Sequence, residues 1–307
     1  MRNLAERLDH ADRQHGATAM NVLPDGVARV QDPGGRDALR LDGPGGRILV
    51  ALLGAQVLSW QGPHGEVLFT GAKADYLPGK PVRGGIPLVF PWFGDHPTDR
   101  KLPAHGFARS QTWRLAAARP GPEVVLETTD DASTHALWPH AFRLAFTVSA
   151  SAPVRLQLTI ENRGSAPFRC EQALHTYFAV RDIHTASVHG LQGVPHVETA
   201  KAPEAAWDTK APLRFRAETD RVFSGTPDRL ELRAPALRRA VTLTTRGARS
   251  AIVWNPWPEK CARLSGLAAD DWQRFCCIES ANVKADGLTL APGACHTLAL
   301  ALGCDAT

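Results

Sequence analysis

The chain has 307 residues, 44% of them hydrophobic and 21% charged, with 26 Gly, 23 Pro and a net charge of +4. That composition excludes disordered, collagenous and disulfide-scaffold classes, and a chain this long buries enough apolar surface to fold without a disulfide or metal staple. The positive excess is spread along the chain rather than gathered in a basic stripe, so nucleic acid is not an expected partner.

Met1 to Asp25 is charged and has no apolar core, so residues 1–25 read as an N-terminal extension without a secretory signal. Within it, Asn3 to Gln14 can form a short helix. No run of 18 apolar residues occurs, and no membrane span is expected. The six cysteines, Cys170, Cys261, Cys276, Cys277, Cys295 and Cys304, form no C-x-x-C pair. A soluble chain in the reducing cytoplasm is the expectation.

From Gly26 onward, short apolar or alternating runs dominate. Strands are expected over Gly26–Gln31, Arg47–Leu53, Gln56–Trp60, Glu66–Thr70, Thr112–Ala117, Glu123–Thr128, Phe142–Ser149 and Val154–Asn162. The last two are joined by Ala150-Ser151-Ala152-Pro153, a hairpin signal. Further strands are expected over Cys170–Val180, Leu213–Ala217, Arg229–Arg233, Val241–Thr245, Ser250–Trp254, Arg274–Glu279, Leu288–Leu290 and His296–Leu302. Val188 to Asp208 is the least periodic stretch and reads as a long surface connection. About sixteen strands separated by turn residues, with almost no helix, predict one all-β sandwich or barrel over residues 26–307.

Three segments break that rhythm. In Val82-Arg83-Gly84-Gly85-Ile86-Pro87-Leu88-Val89-Phe90-Pro91-Trp92-Phe93-Gly94, two prolines exclude a regular central strand. There Arg83 is either a ligand-facing guanidinium beside approachable backbone or a surface charge on an edge strand. In Pro103-Ala104-His105-Gly106-Phe107-Ala108-Arg109, an extended chain would put His105, Phe107 and Arg109 on one face, suited to a sugar or an anion. A loop with a satisfied His and a solvated Arg is the alternative.

In Glu171-Gln172-Ala173-Leu174-His175-Thr176-Tyr177-Phe178, a strand would set Glu171, His175 and Tyr177 together, a polar face that must be paired or wet. Otherwise His175 is a core histidine bonded to a carbonyl. Glu279 closes an apolar run, where desolvation raises a carboxyl toward the range of a general base, unless it only pairs with a surface Arg. Trp254-Asn255-Pro256-Trp257 is an aromatic turn, either a sugar-stacking platform or a core cap. The twelve His show no zinc or iron spacing with Cys or Asp, and there is no phosphate loop, dinucleotide fingerprint or Gly-x-Ser-x-Gly elbow.

Taken in order, Arg83-Gly84-Gly85-Ile86-Pro87, Phe90-Pro91-Trp92-Phe93-Gly94, His105-Gly106-Phe107-Ala108-Arg109, Leu174-His175-Thr176-Tyr177-Phe178, Thr219-Asp220-Arg221-Val222, Trp254-Asn255-Pro256 and Ile278-Glu279-Ser280-Ala281 resemble the glucose-6-phosphate 1-epimerases. These hexose-6-phosphate mutarotases belong to the aldose 1-epimerase superfamily, and the resemblance runs from Gly26 to Leu302. It implies a large twisted antiparallel β-sandwich of the galactose mutarotase type, with the site on a concave face. It implies His175 as general acid, Glu279 as general base, and Arg83, His105, Arg109 and Asp220 as substrate contacts. The residue before the histidine of His105-Gly106-Phe107-Ala108-Arg109 is commonly Gln in that family and is Ala104 here, which loosens the choice of sugar. The implied reaction opens and recloses a hexose 6-phosphate, glucose 6-phosphate first among them, in a monomer that needs neither metal nor organic cofactor. A free-aldose mutarotase and a non-catalytic carbohydrate-binding sandwich are the rival readings.

Overall fold

The computed structural model describes residues 23–200 and 207–307; the helix expected over Asn3–Gln14 lies outside them. Four antiparallel sheets form, and two large ones define the architecture. The nine-stranded sheet runs, in spatial order, Leu213–Arg214, Ser187–His189, Arg229–Ala234, Arg239–Arg246, Cys295–Ala306, Val154–Asn162, Phe142–Ser149, Glu123–Thr129 and Arg114–Arg119. Its residues alternate between core and solvent, as in Val154–Asn162, where Val154, Leu156, Leu158 and Ile160 are buried and Arg155 and Gln157 are exposed. One buried and one wet face is what an alternating pattern encodes.

The seven-stranded sheet runs His196–Glu198, Thr219–Ser224, Ser250–Asn255, Phe275–Asn282, Gln172–Leu174 and Leu88–Val89, with Tyr177–Ala179 also pairing to Phe275–Asn282. Ser250–Asn255 and Phe275–Asn282 are buried at every position. Cys276 and Ile278 join the main core shared with the nine-stranded sheet. Phe275, Cys277 and Ala281 face the other way, into a second cluster with Tyr177, Ile252 and Trp254. A strand covered on both faces loses its alternation, which is why Glu279 sits within an apolar run. The remaining sheets are a five-stranded one, Val27–Gln31 to Gly65–Glu66, and the pair Phe168–Cys170 with Leu288–Leu290.

The all-β expectation holds, and Phe142–Ser149, Val154–Asn162 and Leu288–Leu290 have the expected bounds. Val188–Asp208 does not behave as one connection: Ser187–His189 and His196–Glu198 are strands in different large sheets. Each carries a single apolar residue and so shows no period. Cys170–Val180 is not one strand but three short ones, ending at Cys170, Leu174 and Ala179. Asp37–Gly43 and Thr219–Ser224 are additional strands. Two short helices, Ala132–Leu137 and Trp257–Cys261, also form, and no helix among the described residues is long and apolar enough to cross a membrane.

Candidate active site

Strand register builds the site. Val222, Ile252 and Glu279 are partners across three neighbouring strands, and Asp220, Trp254 and Cys277 form the next row. Side chains directly opposite on antiparallel strands share a face, so the two rows present Glu279, Trp254 and Asp220 together. On the other side of Phe275–Asn282, Leu174 pairs with Ser280 and Tyr177 with Cys277. The same register carried across the interruption between them sets His175 opposite Glu279. His175 Nε2 lies 3.4 Å from Glu279 Oε1.

These side chains line a cleft of about 590 Å³ that also takes in Arg83, Phe93, Ala104, His105, Arg109, Lys260 and Lys284. The cleft therefore gathers all six residues singled out from the sequence: His175, Glu279, Arg83, His105, Arg109 and Asp220. His175 is 6% exposed and Glu279 2%. His175 Nδ1 and Glu279 Oε2 are buried without a hydrogen-bond partner. Buried polar atoms are nearly always bonded, and these two orphans sit on facing side chains inside the cleft.

Burial pushes the Glu279 carboxyl well above the usual carboxylate range; the Asp220 charge adds to this and Arg109 opposes it. Burial also holds the His175 imidazole well below its ordinary value, helped by His105, Arg109 and Arg83. The first shift makes an ionised Glu279 a stronger base, and the second makes a protonated His175 a stronger acid. His175 stacks on Tyr177 at 4.9 Å with the rings 7° apart, and Trp254 meets both rings edge-on. This packing fixes the imidazole plane.

His105 and Arg109 reach the cleft by a different geometry from the extended one expected. His105 and Gly106 have φ of +63° and +73°, and Ala108–Ser110 is a 3-10 turn. Phe107 points into the main core and shares no face with its neighbours. Gly106 is required where it stands, because a Cβ there would run into the Phe90 carbonyl. His105 is held below its ordinary value, at about 3, chiefly by burial. It is neutral at pH 7, and its Nδ1 accepts the Gly94 N–H at 3.3 Å. The ring proton is then on Nε2.

Arg109 donates to the Ala104 carbonyl at 2.6 Å, and burial lowers it to about 10, which leaves it charged. Arg83 donates to Ser265 O at 3.3 Å and to the Tyr177 hydroxyl at 3.5 Å. It lies in a bend ahead of the edge strand Leu88–Val89 and lines the cleft, so it is not a surface charge on that strand. Among the described residues neither arginine is paired with a carboxylate.

Glu171 is not among the residues that line the cleft. It turns away to accept the backbone N–H groups of Phe93 and Lys284, at 2.7 and 2.6 Å, and so ties two rims of the cleft together. The aromatic turn also divides: Trp254 lines the cleft, whereas Trp257 packs on Trp272 at 4.5 Å. Lys260 and Lys284 were not singled out in the sequence. Lys260 Nζ sits 2.8 Å from Glu218 and 3.5 Å from Asp220, over the Trp254 ring. A lone lysine carries no local pattern, so only a neighbour far along the chain reveals it.

His175 facing Glu279 in a cleft of aromatic walls and two arginines fits a β-sandwich enzyme that handles sugars. The profile of the aldose 1-epimerase family matches residues 37–303, and the chain belongs to that family. The chain is 32% identical over 252 residues to "Putative glucose-6-phosphate 1-epimerase" of Escherichia coli (strain K12), covering 80% of this chain and 83% of that one. A protein of the same name from Cenchrus ciliaris is 30% identical over 259 residues, 80% of this chain and 77% of that protein. The crystal structure of the "putative mutarotase (YeaD)" from Salmonella typhimurium superimposes with a TM-score of 0.83 at 26% identity, over 96% of this chain and 100% of that one. A galactose mutarotase-like protein from Lactobacillus casei shares the fold, with a TM-score of 0.68 at 17% identity, 91% of this chain and 100% of that one.

Proposed function

We propose that the chain interconverts the α and β anomers of a hexose 6-phosphate, with glucose 6-phosphate as its first substrate. The observation that carries this reading is the His175–Glu279 pair, 3.4 Å apart in the floor of a cleft that also holds Arg83 and Arg109. The names of the relatives from Escherichia coli and Cenchrus ciliaris support the same substrate.

The reaction opens a hemiacetal and recloses it on the other face of the aldehyde. Opening removes the proton of the C1 hydroxyl and protonates the ring oxygen O5; both oxygens hang on C1, so an acid and a base side by side reach them together. Glu279 takes the first proton and His175 gives the second, and after rotation about C1–C2 the two work in reverse. His105 and Asp220 hold hydroxyls of the ring, Trp254 offers it an apolar wall, and Arg83 with Arg109 bind the phosphate. Free glucose or galactose would need the acid–base pair but not two unpaired guanidiniums. Exchange spectroscopy by NMR on glucose 6-phosphate tests the activity, and a protein that leaves the spontaneous rate unchanged would be a binding module instead.

Two further results are expected. Exhaustive chelation leaves the exchange rate unchanged, and a loss restored by one divalent ion would overturn this chemistry. Among the described residues no group of three or more His, Cys, Asp or Glu is placed to hold a metal ion. The second result concerns pH. Glu279 must be ionised to act, and its raised value places the acid limb of kcat/KM above the ordinary carboxylate range. Asp220 raises Glu279 and Arg109 lowers it, so Asp220→Asn moves that limb to lower pH and Arg109→Met moves it to higher pH. An unmoved limb in both variants would mean that Glu279 does not set it.

The reading extends to organisation. The mutarotase sandwich occupies residues 26–307 as one domain behind an extension of residues 1–25, and acts as a monomer in the cytoplasm. The family match over residues 37–303 and six unbridged cysteines, five of them buried, support this.

A further inference from the structure

The turn between strands Gly46–Ala51 and Val57–Gly62 of the five-stranded sheet lies outside the cleft, yet it touches the backbone of both arginine segments. Gln56, at its end, is 1% exposed. Its amide nitrogen donates to Val82 O at 2.8 Å and Gly84 O at 2.7 Å, and its oxygen accepts Val82 N–H at 3.0 Å. Those bonds bracket Arg83 on both sides and use both donors and the acceptor of the amide. The next residue continues the hold: Val57 O accepts the Ile86 N–H at 2.8 Å.

The same turn meets the second arginine. Gly54 N–H donates to Gln111 O at 2.7 Å, and Leu52 O accepts Trp113 N–H at 2.8 Å. A Cβ on Gly54 would press on the Arg109 carbonyl and Cα, so this backbone lies directly against Arg109. Gly54 and Ala55 both have positive φ, +71° and +47°, which makes the turn tight enough to fit between the two segments.

A glutamine is seldom fully buried, and burying one is costly unless every polar atom is bonded. Here the bonded atoms all belong to the three residues centred on Arg83. The guanidinium is held separately, by Ser265 O and the Tyr177 hydroxyl. A long side chain places its charge accurately only when both its root and its head are fixed, and Gln56 fixes the root. We infer that Gln56 is a positioning residue that sets Arg83 against Arg109 for capture of the substrate's anionic group. The inference rests on the reading of Arg83 and Arg109 as phosphate-binding, and it adds a residue that touches no substrate.

The test replaces Gln56 by Leu, of similar volume, and measures two things. One is the ratio of kcat/KM for glucose 6-phosphate to that for free glucose, followed by NMR exchange. The other is inhibition of free-glucose exchange by inorganic phosphate. Gln56→Leu is expected to lower the ratio about tenfold and weaken phosphate inhibition by a similar factor, with kcat on free glucose kept within about twofold. Added to Arg83→Ala, it should cost the ratio no more than about a further twofold, since two residues acting through one guanidinium do not add. Gln56→Asn keeps the amide but withdraws it by one methylene, and it should fall between wild type and Gln56→Leu even if the leucine variant folds poorly. Equal losses on both sugars, or an unchanged ratio in Gln56→Asn and Gln56→Leu alike, would overturn the inference while Arg83→Ala still lowers the ratio. If Arg83→Ala itself leaves the ratio unchanged, the phosphate reading falls and this inference falls with it.

Discussion

Glu279→Gln and His175→Ala each lower the anomer exchange rate by at least about 10²-fold, the lower end of what a positioned base or acid contributes. The glutamine keeps the shape of the carboxylate and removes its basicity, so the loss reads chemistry rather than packing. Its fold is expected to be at least as stable as wild type, because a carboxyl at 2% exposure with an orphan oxygen is expensive to keep charged. His175→Ala also removes a ring from the Tyr177 stack, so its melting temperature should fall somewhat while the rate falls far more. Residues that act as one unit are not additive, and the double variant should lose little beyond the worse single one. Polarimetry on a freshly dissolved anomer, with a thermal melt beside it, checks all three. A near-wild-type rate in either single variant would remove that residue from the mechanism.

Arg83→Ala and Arg109→Ala are expected to lower kcat/KM for glucose 6-phosphate roughly tenfold to a hundredfold each, with far smaller losses on free glucose. A charge-assisted hydrogen bond contributes on the order of 1.5–3 kcal/mol, which is that range of affinity. Among the described residues each guanidinium has neutral partners only: Ser265 O and the Tyr177 hydroxyl for Arg83, and the Ala104 carbonyl for Arg109. A dianionic phosphate therefore displaces no salt bridge on binding, and an Arg pair matches its oxygens bidentately. Raising the salt concentration should increase KM for the phosphorylated sugar and leave that of the free sugar nearly unchanged. Equal losses for the two sugars, or a wild type that prefers free glucose or galactose, would assign the site to free aldoses. Ala104 lines the same cleft, and the epimer preferred among hexose 6-phosphates should be screened in the same assay.

Much of the fold was legible because its strands follow local rules. The hairpin Phe142–Ser149 to Val154–Asn162 was readable to the residue, since a clean alternation flanks one turn and nothing distant perturbs it. Ser187–His189 and His196–Glu198 were not, because each carries a single apolar residue and so shows no period. Whether 105–109 is extended or a loop was not legible, because nothing local announces a positive φ at His105.

Composition and alternation state the all-β class along the chain, and the order of short motifs, through the family resemblance, singled out six of the residues that line the cleft. Composition, alternation and short motifs are properties of neighbouring residues, and the chain states them directly. Only the tertiary structure decided which of those residues meet. The register between Gln172–Ala179 and Phe275–Asn282 sets His175 opposite Glu279, and no spacing along the chain encodes it. Alternation groups Glu171 with His175, but only the fold brings the Phe93 and Lys284 amides to its carboxylate. Lys260 and Gln56 carried no local signal, since a lone lysine or glutamine acquires a role only from what folding sets beside it, Asp220 for one and the backbone around Arg83 for the other. Hydrogen bonds and desolvation depend on three-dimensional neighbours, so charge state and position in this cleft are consequences of the packed sheets.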